Sequence, residues 1–163
     1  MLLLVATGCH RNVKTTENDV KEAEAALFND DMTANVEAVP HAIATFVKYA
    51  EDHADAADAP EYLFKAVEVS INAQQDAQQS IDLVNRLVKD YPRFDKNPVA
   101  LFMLATFVYD DQLHNYDKAR ECYRRIMNDY PESPFAKDAS IAIEQLGVSP
   151  EDLIKIFEAQ QEE

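Results

Sequence analysis

Arg86-Leu87-Val88-Lys89-Asp90-Tyr91-Pro92 returns 39 positions later as Arg125-Ile126-Met127-Asn128-Asp129-Tyr130-Pro131. Each copy reads Arg, two apolar residues, one polar residue, then Asp-Tyr-Pro. Self-similarity at a period of roughly 20–50 residues marks a chain of stacked units, none of which can bury its apolar face alone. Such solenoids expose a long surface and suit the binding of other macromolecules. The repeat argues for a scaffold and does not name the partner.

The echo extends beyond the phrase. Ala119 and Tyr123 precede Pro131 by the same intervals at which Ser80 and Val84 precede Pro92, and Ala66 matches Ala105. A weaker earlier copy sets Ala42, Phe46 and Tyr49 at the spacings of Ala119, Tyr123 and Ile126, with Ala54 at the Pro position. Leu63-Phe64 and Leu101-Phe102 are 38 apart, so the register of the first helix in each unit is open by one residue.

Helix-compatible periodicity fills the rest, and no run alternates as a strand would. The first unit pairs a helix over 18–28, with Val20, Ala23 and Leu27 on one face, with a second from Val36 or Pro40 to His53. The second unit opens at Asp58-Ala59-Pro60-Glu61, where Asp58 is expected to cap and Glu61 to complete a capping box. Its first helix runs to Asn72, and Asp76 restarts a second that ends at Asp90, since Pro92 disfavours helix at Tyr91. In the third unit Asn97-Pro98 starts a helix to Tyr109, and Asn115 caps another to Asp129. Ser133-Pro134 opens a helix that stops at Gly147. Ser149-Pro150 opens a last amphipathic helix over 153–160, expected to cover the end of the stack.

The chain of 163 residues carries 30 acidic against 15 basic side chains, a formal net charge of −15. That surface repels phosphate backbones, and no basic stripe offsets it, so nucleic acid is excluded as a partner. Its acidity serves solubility or the recruitment of a basic partner.

The opening Met1-Leu2-Leu3-Leu4-Val5-Ala6-Thr7-Gly8-Cys9 resembles the tail of a bacterial lipoprotein signal peptide. The resemblance implies cleavage before Cys9, lipidation of Cys9, and attachment to an envelope membrane, with a polar tether following. No Lys or Arg precedes Cys9, and the apolar stretch is shorter than the roughly 7–15 residues of an ordinary signal core. An ordinary terminus of a soluble cytosolic adaptor therefore stays open beside the envelope lipoprotein.

Small residues at Ala66, Ala105, Ser80 and Ala119, an apolar or aromatic at Val84 and Tyr123, and Pro92 and Pro131 closing each second helix resemble the tetratricopeptide repeat (TPR). The family period is about 34; the longer period here fits loops at 110–114 and 93–97. Units ending in Asp-Tyr-Pro are similar to the bacterial envelope branch of that family, the BamD-like and Tol-Pal-associated lipoproteins. The expected architecture is all-α, a TPR-like α-solenoid of about three helix pairs with C-terminal capping helices. It divides into a signal-peptide remnant (1–8), a lipidated Cys and tether (9–17), helical repeats (18–147) and a capping helix (148–163). The resemblance implies a non-catalytic protein-interaction scaffold facing the periplasm at the outer membrane, in outer-membrane assembly or envelope maintenance.

In that family the first helix of each pair presents residues to a concave groove. Transferred on the Ala66/Ala105 register, these are Leu63, Val67 and Ser70, then Phe102, Thr106 and Tyr109. Leu63, Val67 and Phe102 equally suit packing between helices, whereas the Tyr109 hydroxyl suits a wet groove. Partners would be proteins or peptides; oligomeric state is open. His10, His41, His53 and His114 lack metal-ligand spacing, and Asp110-Asp111 and Asp55/Asp58 lack a calcium loop's glycine and spacing. Cys122 sits mid-helix without a neighbouring base. No catalytic constellation appears, and no cofactor is implied.

Overall fold

The computed structural model describes residues 13–148, and these form seven helices and no sheet. Helix α1 spans Glu17–Ala26, α2 Val39–Asp52, α3 Ala59–Ala73, α4 Ala77–Asp90, α5 Asn97–Met103, α6 Tyr116–Asp129 and α7 Pro134–Gln145. A 3₁₀ turn at Val36–Ala38 leads into α2, and α5 continues as a π-helix over Leu104–Gln112. The expected signal peptide and Cys9 lie outside the described residues, as does the expected helix over 153–160.

Local chemistry explains most helix starts. Thr16 and Asp19 form a reciprocal capping box at α1, satisfying amides that a helix leaves unpaired. Asp76 accepts from the amides of Gln78 and Gln79, Asn115 from Lys118, and Ser133 from Phe135. Asp58 departs from expectation and makes no capping bond at α3. Its backbone is already helical, which aims the carboxylate away from the first-turn amides. It instead accepts from the Tyr49 hydroxyl at 3.1 Å.

Of the segment expected as a tether over 9–17, the described part begins at Val13. Lys14 Nζ donates to the Asp52 carbonyl at 2.8 Å, and the Thr15 amide donates to Asp52 Oδ2 at 2.7 Å. His53 Nε2 lies 2.8 Å from the Thr15 carbonyl. Lys14 and Thr15 are thus fastened to the end of α2, and Thr16 caps α1, which starts at Glu17.

The helices pair as α1/α2, α3/α4 and α5–π/α6, and α7 lies against α6 and α5. One core runs through all of them. The small repeat positions Ala42, Ala66, Ala105 and Ala119 are fully buried, and Ser80 nearly so. Short side chains there let helix axes approach within roughly 8–10 Å. Phe46, Val84 and Tyr123 fill the matching large positions. Replacing the enclosed Phe46 by alanine would cost about 3–5 kcal/mol.

Each intra-pair loop turns through one residue in the left-handed region: Met32 (φ 65°), Gln74 (φ 52°) and His114 (φ 49°). None is glycine, so each loop carries some backbone strain.

Candidate functional site: a cavity between the third helix pair and α7

Leu63, Val67 and Ser70 do not line a groove. All three are buried, because α3 is packed by α2, α4 and α5 together. The Ser70 hydroxyl is 2.7 Å from that of Ser80, which satisfies a polar pair inside the α3/α4 joint. The face that α3 leaves to solvent is charged. Lys65 pairs with Glu24 of α1, and Lys96 pairs with Glu61 at 2.5 Å. Lys65 and Lys96 also lie over the rings of Tyr62 and Phe64, at 5.2 and 5.3 Å. Glu24 and Glu61 on this surface are therefore paired with lysines of the chain itself.

The third unit differs. A cavity of about 590 Å³ opens where the π-helix, α6 and α7 meet. Its walls include Phe102, Thr106, Tyr116, Tyr123 and Ala142, and its rim includes Asp110, Asp111 and His114. Phe102 is half-buried, with its ring 5.3 Å from Tyr123 and 5.5 Å from Phe135. Tilted aromatic contacts of this kind give a rigid apolar floor. The Thr106 hydroxyl lies 2.8 Å from the Tyr123 hydroxyl, so the polar ends of both meet at the cavity wall.

Phe102 and Thr106 line this cavity, and Tyr109 is not among the lining residues. An α-helix would return to the same face seven residues after Phe102. In the π-helix each amide reaches back five residues, so more residues fit in a turn and the face shifts toward i+4 and i+5. The Leu113 amide bonds to the Val108 carbonyl five residues back. Asp110 and Asp111 therefore take the cavity side. Tyr109 is partly buried against the core, and burial raises its pKa.

Burial also raises the pKa of the Asp110 carboxyl, reinforced by Asp111, while His114 opposes the shift. Among the described residues neither Asp110 nor Asp111 has an ion-pair partner. The sequence shows Asp110-Asp111 plainly, but only as an acidic pair without calcium-loop spacing; its membership of the cavity depends on the helix type. Tyr123 reads in sequence as a packing residue and proves to be both packing and wall. Tyr116 lies beside Gly147, whose left-handed φ of 76° favours glycine there.

Cys122 is half-buried and unpaired, and burial pushes its thiol up to about 11. That environment suits an inert thiol rather than a nucleophile. Among the described residues no group of His, Cys, Asp and Glu is placed to hold a metal. No helix among them is long and apolar enough to cross a membrane.

No curated protein matches the chain. Val99 to Ser133, which run from α5 through the π-helix and α6 to the cap of α7, match the tetratricopeptide repeat family. The all-α stack of helix pairs is consistent with that match, and the cavity sits on its first helix: a tetratricopeptide repeat is found at residues 99–133.

Proposed function

We propose that this chain is a protein-interaction scaffold, and that its partner docks at the cavity lined by Phe102, Thr106 and Tyr123. The cavity itself carries this reading: an aromatic-floored recess, open to solvent, on the helix that a repeat of this family turns toward its ligands. Its volume lies within the roughly 300–1,000 Å³ typical of recognition sites. Helical grooves of this kind take a partner segment by inserting a few anchors.

The cellular setting we propose is a bacterial envelope, with Cys9 lipidated and the solenoid facing the periplasm. The Ala6-Thr7-Gly8-Cys9 motif supports this. Lys14 and Thr15 are clasped to α2, and only residues 10–13 separate Cys9 from them. Four residues reach at most roughly 14 Å, so an acylated Cys9 would hold the α1/α2 end close to a membrane.

Two measurements test the two parts. A photocrosslinking residue in place of Phe102, in the native host, should trap a defined protein; trapping none, while a remote position on α1 traps proteins equally, would remove the groove. Intact-mass analysis should give a chain starting at Cys9 with two or three acyl chains. An unmodified chain retaining Met1–Gly8 would leave a cytosolic adaptor with the same fold.

A further inference from the structure

We propose that the cavity takes a basic-apolar segment of a partner protein, in which a bulky apolar side chain enters between Phe102, Tyr123 and Tyr116 while a neighbouring lysine or arginine meets Asp110 and Asp111. This rests on the scaffold reading and adds the chemistry of the partner. Three observations point to it. The rings of Phe102, Tyr116 and Tyr123 and the Ala142 methyl supply the apolar part of the wall, and the Thr106 and Tyr123 hydroxyls satisfy each other, so an apolar anchor fits between the rings. Asp110 and Asp111 stand at the rim with His114 beside Asp110 but with no lysine or arginine paired to them among the described residues, whereas Glu24 and Glu61 of the preceding units are each paired with a lysine. Burial and the neighbouring Asp111 charge disfavour the ionised Asp110 carboxyl, and His114 offsets only part of this; an incoming lysine or arginine would offset the rest.

The alternative occupant to weigh is the chain's own C-terminal segment, since Val148 lines the cavity and 15 residues follow it. Its charge argues against it. Residues 149–163 hold five acidic side chains and one lysine, so seating them beside Asp110 and Asp111 brings like charges together. An external segment of opposite sign fits better.

The test uses the full chain and two labelled 14-residue synthetic peptides with the same Leu and Phe positions, one with Lys at the flanking polar positions and one with Glu. Fluorescence anisotropy should show the Lys peptide binding at least tenfold more tightly, with affinity falling as salt rises. Because the whole chain is acidic, general attraction must be separated from the site. Asp110→Asn/Asp111→Asn should weaken the Lys peptide by about tenfold, the size expected of two rim ion pairs. Asp30→Asn/Asp31→Asn, which removes equal charge from a remote loop, should change it less than twofold. Phe102→Ala should weaken both peptides. Equal loss in the two Asn variants, or equal binding of the Lys and Glu peptides, would overturn the proposal. So would a tenfold gain for both peptides in Ile156→Asp/Phe157→Asp, which would make the C-terminal segment the resident occupant. A partner trapped at position 102 through a neutral or acidic segment would overturn this inference while leaving the scaffold reading intact.

Discussion

The hydroxyls of Thr106 and Tyr123 lie 2.8 Å apart, at the positions where the preceding unit, 39 residues earlier, has Val67 and Val84. Both valines are fully buried. The third unit has exchanged both members of an apolar pair for a hydrogen-bonded one, and that exchange brings polar atoms to the wall of the cavity. Tyr123→Phe should lower stability by about 0.5–1.5 kcal/mol, the net value of one such bond. Thr106→Val/Tyr123→Phe should recover part of this, since no buried hydroxyl is then left alone. Urea unfolding of the two variants checks it; a double variant weaker than the sum of the single ones would contradict the pairing.

The left-handed residues Gln74 and His114 give a test of loop strain. Left-handed backbone costs a non-glycine residue about 1–2 kcal/mol, and glycine loses about 0.5–1 kcal/mol of that advantage through its freer unfolded chain. Gln74→Gly and His114→Gly should each raise stability by about 0.5 kcal/mol, visible as a Tm increase of roughly 2 °C. A fall in Tm for both would mean that the loop conformations are not held as described. Gln74→Val should be destabilising.

Acid should release the N-terminal clasp. Hydrogen bonds from Lys48 and from the Thr15 amide hold the Asp52 carboxyl down at about 2, against 3.8 ordinarily. The unfolded chain takes up this proton near pH 4, whereas the folded chain resists until about pH 2. The contribution is therefore complete above pH 4 and is lost as pH falls toward 2. Hydrogen exchange at the Thr15 amide should be slow at pH 5 and speed up relative to core amides near pH 2. Asp52→Asn should remove that pH dependence.

At the other end of the scale, burial first and then the Asp58 carboxylate push the Tyr49 hydroxyl up to about 12. The unfolded phenol ionises near pH 10, so stability should decline between pH 10 and 12 as the unfolded state gives up its proton first. Tyr49→Phe should flatten that decline; an unchanged alkaline limb would show that Tyr49 does not contribute to it.

Cys122, with its thiol at about 11, should alkylate on the order of a hundredfold more slowly than a free cysteine at pH 8, because the thiolate is the nucleophile. Iodoacetamide kinetics on the Cys9→Ser variant measure this directly. A rate equal to that of a model peptide would place Cys122 outside the protein interior.

Sequence periodicity carried far because the repeat is a packing rule. Ala66, Ala105 and Ala119 must be small wherever two helices cross, so their spacing survives in the text of the chain and identifies the pairs. Capping was legible at Asp76, Asn115 and Ser133, where the signal is local. It failed at Asp58, because Tyr49, nine residues away, offered a hydroxyl that the short-range pattern does not include. The groove residues of the second unit failed for a related reason. Whether Leu63 and Val67 face a groove or a neighbour depends on how closely α2, α4 and α5 surround α3, and an apolar stripe reads the same in both cases.

Helix number, pairing and the stop at each Tyr-Pro are properties of the sequence alone, because propensity, capping and proline chemistry act over a few residues. The face on which Asp110 and Asp111 stand, and with it the character of the cavity, was decided only by the tertiary structure. Five-residue hydrogen bonding through Leu104–Gln112 is stabilised by packing on α4 and α6, and isolated π-helix is disfavoured enough that no local pattern announces it. One change of helical pitch puts a pair of carboxylates on the cavity side in place of the expected Tyr109.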